Sequence, residues 1–325
     1  MINRRVVNAM LGSALLLSGL AARSQQRNPR LGWLLGSSPR NASFNAAFER
    51  RLQELGYVDG RNLVIDDVFA EGKVERLAPL SRELVARKPD VLFVSGPEAN
   101  LKAMGEATRA IPIVVCAIDF DPEAKGYVKS LARPGGNITG LHVQQIEATA
   151  KRLELLHNLL PSARRIAVLS DVFTTDQLQA ARRAAQILMV ELQVLEPRSY
   201  PYDYARLVTQ ARATRSDAML VLMSPRIFPG RESLVAELSK QALPAVFGLS
   251  QYVEVGGLAS YGGSIDAFLA RGAVYVDKIL RGEAPSNMPM EQSTEFELAV
   301  NLKVAKELGV KIPQSVLLRA TRVFE

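Results

Sequence analysis

Small hydroxyls, carboxylates and aromatic rings recur in this chain directly after short apolar runs. They are Ser37 and Ser38; Ser95, Gly96, Pro97 and Glu98; Asp119, Phe120 and Asp121; Asp171, Phe173 and Thr174; Ser224 and Pro225; Ser250 and Tyr252. Each type has a binding chemistry. A serine hydroxyl beside the unpaired N–H groups that open a helix suits a carboxylate. An aspartate suits an ammonium group or a hydroxyl, and Phe120, Phe173 and Tyr252 offer cover for an apolar body. The ordinary alternative for each serine is a helix cap, and for Asp121-Pro122 the start of a turn. What points to a ligand site is the shared placement of these segments, not any one of them.

Chemistry that would make the chain a catalyst is missing. No G-x-S-x-G nucleophile elbow and no G-x-x-x-x-G-K-[ST] phosphate loop occurs. The run from Gly135 to Gly140 is glycine-rich but departs from G-x-G-x-x-G and reads as a turn. His142 and His157 are the only histidines, with no second ligand type clustered beside them, so a metal site is not expected. Asp66 and Asp67 are neighbours on a candidate strand and point to opposite faces. The expectation is a binding protein with no catalytic residue, no cofactor and no metal.

The elements that must position these residues alternate in type. Apolar runs at 30–36, 62–69, 91–94 and 113–118 read as strands, and the helical spacing of apolar residues over 41–55, 74–87 and 99–108 reads as the helices between them. The rhythm restarts with helices over 148–160, 175–189, 202–215 and 230–241 around strands at 165–169, 191–195, 218–222 and 244–248. Uninterrupted apolar strands are buried on both faces, and helical crossovers between them make a parallel sheet covered on both sides. The fold class expected is α/β, with two doubly wound parallel-sheet lobes and residues 133–140 as the first crossing between them. In such sheets a ligand collects outside the carboxyl ends of the strands, which is where the hydroxyl and carboxylate segments lie.

Composition narrows the partners. The 325 residues are 48% hydrophobic and 22% charged, as in a globular protein. The formal charge of +7 is spread among acidic residues with no basic stripe, so no nucleic acid is expected as a partner. Cys116 is the single cysteine and sits in a buried-strand pattern, so no internal disulfide forms and the thiol reads as a small hydrophobe. The first residues carry a separate message: Arg4 and Arg5 precede an uncharged apolar stretch over 6–22, followed by small residues and a polar run. This order is an export signal, read as residues 1–24 with cleavage before Gln25; cleavage after Ala21 competes, and an uncleaved membrane anchor is the alternative. No cysteine lies near the cleavage point, which excludes a lipoprotein anchor, and a periplasmic location follows as the expectation.

Five longer stretches add a resemblance. They run from Phe48 through Gly56, Gly60 and Leu63; from Ser130 through Arg133, Pro134 and Gly135 to Leu141; from Lys151 to Leu156; from Ala273 through Asp277 to Gly282; and from Phe296 through Asn301 to Leu308, Gly309, Ile312 and Pro313. In this order they resemble the ABC-transporter substrate-binding proteins of the tryptophan/tyrosine type. The resemblance implies a type I periplasmic-binding-protein fold whose two lobes are joined by three crossings, the second near Gly256-Gly257 and the third near Pro289. Lobe 1 is then 28–138 plus 258–285, and lobe 2 is 139–256 plus 289–325. It also implies capture of a small-molecule ligand, such as an amino acid or aromatic carboxylate, by a monomer that delivers it to an ABC permease in the inner membrane. A ligand-sensing module for a membrane sensor is the first alternative, and a secreted α/β enzyme the second.

Overall fold

The computed structural model of the chain describes residues 27–36, 39–40, 45–143 and 145–325. The expected export signal, 1–24, lies outside the described residues. The first cycle comprises β1 (Arg30–Leu35), α1 (Ala46–Glu54), β2 (Val64–Phe69), α2 (Leu77–Ala86), β3 (Val91–Gly96), α3 (Glu98–Ala107), β4 (Ile113–Ile118) and β5 (Ile138–Val143). The second comprises α4 (Gln145–Leu159), β6 (Arg165–Leu169), α5 (Thr175–Leu188), β7 (Glu191–Leu195), α6 (Tyr204–Ala213), β8 (Ala218–Val221), α7 (Arg231–Lys240), β9 (Ala245–Phe247), α8 (Ser250–Glu254) and β10 (Ala259–Gly263). The chain ends with α9 (Ile265–Leu280), β11 (Glu291–Gln292), β12 (Phe296–Asn301), α10 (Leu302–Glu307), α11 (Gln314–Leu317) and β13 (Arg322–Phe324).

These strands form two sheets. The first runs β11-β5-β4-β3-β1-β2 and is parallel throughout. The second runs β13-β12-β10-β9-β8-β6-β7, with the β10–β12 pair antiparallel. Apolar strand runs explain the layering. In β3, Val91 and Phe93 pack on one face with Phe48 and Leu52 of α1 and Phe268 and Val276 of α9. Leu92 and Val94 pack on the other face with residues of α2 and α3. In β8, Met219 and Val221 face α6 and α7, whereas Ala218 and Leu220 face α4 and α5. Alternate residues of one strand thus serve two helix layers, as a period of two requires.

Sheet membership differs from the expected lobe boundaries at each crossing. Residues 138–143, assigned from 139 onward to lobe 2, form β5 and pair with β4 in the first sheet, Val114 opposite Thr139 and Val115 opposite Gly140. The turn at 133–137 only feeds that strand, and pairing within the first sheet continues to Val143. Residues 259–263, assigned to lobe 1, form β10 between β9 and β12 in the second sheet. The second crossing therefore falls at Ser264, whose side chain caps α9 by accepting from Ala267 N; α9 then returns to pack on the first sheet. The third crossing lies at 293–295, between β11 of the first sheet and β12 of the second. At the second and third crossings the connecting segments are themselves paired, Ser264 N donating to the Glu295 carbonyl oxygen at 2.9 Å and Ser293 N to the His142 carbonyl oxygen at 2.8 Å, so backbone groups stay satisfied where the chain changes lobe.

Candidate functional site

Leaving out the edge additions, the first sheet reads β2-β1-β3-β4-β5 and the second β7-β6-β8-β9-β10. Both have the doubly wound order whose direction of winding reverses between the first and third strands. The carboxyl ends at the two reversal points enclose a cavity of about 140 Å³. From the first lobe it is lined by the ends of β1, β3 and β4 and by Asn45 and Asn100. From the second it is lined by Phe173, by 223–225 after β8, and by Leu249, Gln251 and Tyr252 after β9. Ile265 and Leu269, one helical turn apart on α9, complete the wall.

Close backbone approaches shape the first-lobe wall. Asn100 Nδ2 donates to the Ser95 carbonyl oxygen at 2.7 Å. A Cβ at Gly96, where φ is +116°, would stand 2.8 Å from that same nitrogen, so only glycine lets the loop fold over Asn100. On the opposite wall the Tyr252 ring is stacked on Phe247 at 4.6 Å and edge-on to Phe228 at 5.8 Å. Burial pushes the Tyr252 phenol above its ordinary value, so this ring presents a neutral, apolar surface.

Polar groups link the two walls. Asp119, at the end of β4 with φ +64°, accepts through Oδ2 from Gln177 Nε2 of α5 at 2.9 Å. The Gln177 amide is itself held by the backbone of Met223, donating to its carbonyl oxygen at 2.9 Å and accepting from its N–H at 3.0 Å. Behind it lies Arg152 of α4, fully buried, donating from Nε to the Tyr261 carbonyl oxygen at 2.7 Å. Burial brings the Arg152 guanidinium down to about 10, with the Asp119 charge opposing. Asp171 accepts from the Tyr202 hydroxyl at 3.0 Å and from the Ser224 hydroxyl. Burial first, and the Asp171 charge next, push the Tyr202 phenol up to about 12.

Of the sequence-predicted residues, Ser95, Gly96, Pro97, Asp119, Phe173, Ser224, Pro225 and Tyr252 come together around this cavity. Six others stand off its wall. Glu98 pairs with Lys125 at 3.0 Å and accepts from the Tyr127 hydroxyl at 3.1 Å. Phe120 packs edge-on against Tyr127 in the first-lobe core. Asp121 caps a turn, accepting from the N–H groups of Glu123 and Ala124. Asp171 and Thr174 tie the loop after β6, where the Thr174 hydroxyl contacts Ser170 at 2.9 Å and accepts from Asp171 N. Ser250 donates to Glu297 at 2.8 Å. Ser37 and Ser38 lie outside the described residues. The lining residues that sequence reasoning missed include Asn45, Asn100, Gln251, Ile265 and Leu269. The i, i+4 spacing of Ile265 and Leu269 was readable, but nothing local says that α9 returns to this cleft. Among the described residues no three His, Cys, Asp or Glu side chains gather as a metal site, and no helix is long and apolar enough to cross a membrane.

Comparison with known proteins gives one consistent picture. The family model for ABC transporter substrate binding protein matches residues 40–324. A tyrosine-binding protein of Clostridioides difficile (strain R20291) is 25% identical over 268 residues, covering 81% of this chain and 76% of that protein. Among solved structures, a conserved domain protein from Vibrio cholerae superposes with a TM-score of 0.79 at 26% identity, covering 91% of this chain and 100% of the other. An ABC domain in complex with L-Trp from Streptococcus pneumonia gives a TM-score of 0.78 at the same identity and coverage.

Proposed function

Because this chain belongs to the ABC transporter substrate-binding protein family, we propose that it captures one small molecule between its two lobes, outside the cytoplasm, and delivers it unchanged to a membrane permease. The observation that carries this reading is the cavity at the facing strand ends, lined by both lobes. A ligand there touches two bodies joined by three short crossings. Contacts that exist only when both walls meet the ligand favour the closed arrangement, and that difference in affinity is what drives closure.

The ligand is an amino acid with an aromatic side chain. Phe173, Phe228, Tyr252, Ile118 and Leu269 supply an apolar enclosure. Asp119 is the single charged residue among the described residues lining it. A smaller space shares Gly36, Pro97, Asn100, Phe173 and Pro225 with the main cavity and adds Lys73 and Arg226, one from each lobe. Lys73 pairs with Glu71 at 3.1 Å and Arg226 lies over the Phe173 ring at 5.1 Å, so a ligand carboxylate here would share these cations with their present partners, and Arg40 is likewise engaged by Glu49, Asp59 and Asp67. The relatives named for tyrosine and solved with L-Trp support the same class. Export by residues 1–24 and action as a monomer complete the proposal.

A thermal-shift screen of the mature protein against amino acids, aromatic acids, sugars and nucleosides tests it. A native-state ligand raises Tm by mass action, and mass spectrometry of the recovered ligand reads whether it is unchanged. No Tm rise across the screen, or conversion of the bound compound, would overturn the reading.

A further inference from the structure

One carboxylate stands where the two walls of the cavity meet the hinge. Glu297 of β12 follows the third crossing and lies opposite Gly262 of β10 in the second sheet. Its Oε1 accepts from the Ser264 hydroxyl at 2.7 Å, and its Oε2 accepts from the Ser250 hydroxyl at 2.8 Å. Both serines are buried. Ser264 is the second crossing and caps α9, whereas Ser250 is the first residue of α8. The cavity lining begins one residue beyond each: Gln251 and Tyr252 on α8, Ile265 and then Leu269 on α9. Glu297 thus holds the root of one wall helix from each lobe. Two further side-chain bonds brace the same junction. Arg322 of β13 donates to Ser250 Oγ at 3.2 Å and to Glu254 at 2.7 Å, and Gln251 Nε2 reaches Asp266 Oδ1 at 3.4 Å.

Hinge motion is absorbed by a few residues at the ends of elements. Ser264 is placed to be one of them. Before it, β10 stays paired in the second sheet; after it, α9 packs on the first. The angle between the lobes is therefore set where one gives way to the other. We propose that Glu297 is a positioning residue for ligand capture, fixing the direction in which α9 leaves α8 and so the spacing between Tyr252 on one wall and Ile265 and Leu269 on the other. An ionised carboxylate only accepts, and its bonds to hydroxyls are stronger than those between neutral groups. The Ser250 bond keeps the carboxylate aligned on the second lobe. The Ser264 bond is the one that hinge rotation breaks, since separation of the lobes turns α9 about Ser264 and draws its hydroxyl away. The inference rests on the two-lobed capture reading above. Its test needs no ligand, so its failure leaves that reading intact.

Spin labels at Lys102→Cys on α3 and Gln179→Cys on α5, both exposed and one on each lobe, report the distance between the lobes by pulsed electron–electron resonance. Cys116 is buried and takes no label. In the ligand-free protein, Glu297→Leu and Ser264→Ala are each expected to raise the open-to-closed ratio roughly threefold to thirtyfold, as loss of one hydrogen bond to a charged group requires. The double variant opens no further than Glu297→Leu alone, because both changes remove the same bond. Glu297→Gln, which keeps an acceptor oxygen at the same reach, restores most of the closed population. A brace that serves only the stability of the second lobe lowers Tm and leaves the distances alone. Where Glu297→Leu does not fold, Ser264→Ala measured beside Glu297→Gln decides. Unchanged distances in the single variants, additive opening in the double variant, or no restoration by glutamine would overturn the proposal.

Discussion

Gln177 of the second lobe donates Nε2 to Asp119 Oδ2 of the first at 2.9 Å, across the cleft and beside the cavity. The bond can exist only when the lobes are together, because Gln177 is held on its own side by both backbone groups of Met223. It is a latch for the closed arrangement. Gln177→Leu should raise the open population and weaken ligand binding about threefold to thirtyfold, given about 1 kcal/mol for a bond to neutral partners and more for one to a charged group. Small-angle scattering should show a larger radius of gyration without ligand. An unchanged radius and unchanged affinity would remove the latch.

Ser95 and Asp121 looked equivalent as candidates in the sequence, and the structure separates them. Ser95 lines the cavity, whereas Asp121 caps the N–H groups of Glu123 and Ala124. Asp121→Ala should lower stability by about 1 kcal/mol with ligand affinity intact. Ser95→Ala should weaken binding with Tm nearly unchanged. Calorimetric titration and melting of both variants would expose a reversed pattern.

Gly140 in β5 has φ +139°, and a Cβ there would stand 2.0 Å from the Val115 carbonyl oxygen. Neither atom can yield without breaking the β4–β5 ladder. Gly140→Ala is expected to destabilise the protein by about 2–4 kcal/mol, read as a lower midpoint in urea. A midpoint within error of wild type would contradict this close approach.

His142, also in β5, is 2% exposed and neither ring nitrogen has a hydrogen-bond partner. Burial holds its pKa below the ordinary 6.5, with the Asp121 charge opposing. The folded protein therefore binds this proton less readily than the unfolded chain. Its contribution to stability is full above pH 6.5 and is lost as pH falls below that value toward the folded pKa. Tm should drop between pH 7 and pH 5, and His142→Gln should flatten that slope. Parallel Tm–pH profiles for the two proteins would refute the assignment.

Cys116 is fully buried in β4, its Sγ 3.7 Å from the Phe268 carbonyl oxygen, and burial pushes the thiol well above its ordinary value. A neutral, enclosed thiol does not act as a nucleophile. A disulfide reagent should leave the native protein untouched and label one thiol per chain in denaturant. Rapid native labelling would place the thiol at the surface.

The alternation of strands and helices was legible in the chain because periodicity is a local property. The run Val91–Val94 must be buried on both faces whatever surrounds it, and it is. The loops that could meet a ligand were legible too, since they follow from where parallel strands end. The partners of β5 and β10 were not, because pairing is decided by residues far along the chain: Thr139 joins Val114, and Ser260 joins Phe247 and Ala299. Nor could local sequence tell a serine that caps or braces from one that faces a cavity, as Ser250 and Ser95 illustrate. Asn45 and Gln251 show the limit most directly. An amide is an unremarkable surface residue until three-dimensional packing buries it in the wall of a cleft.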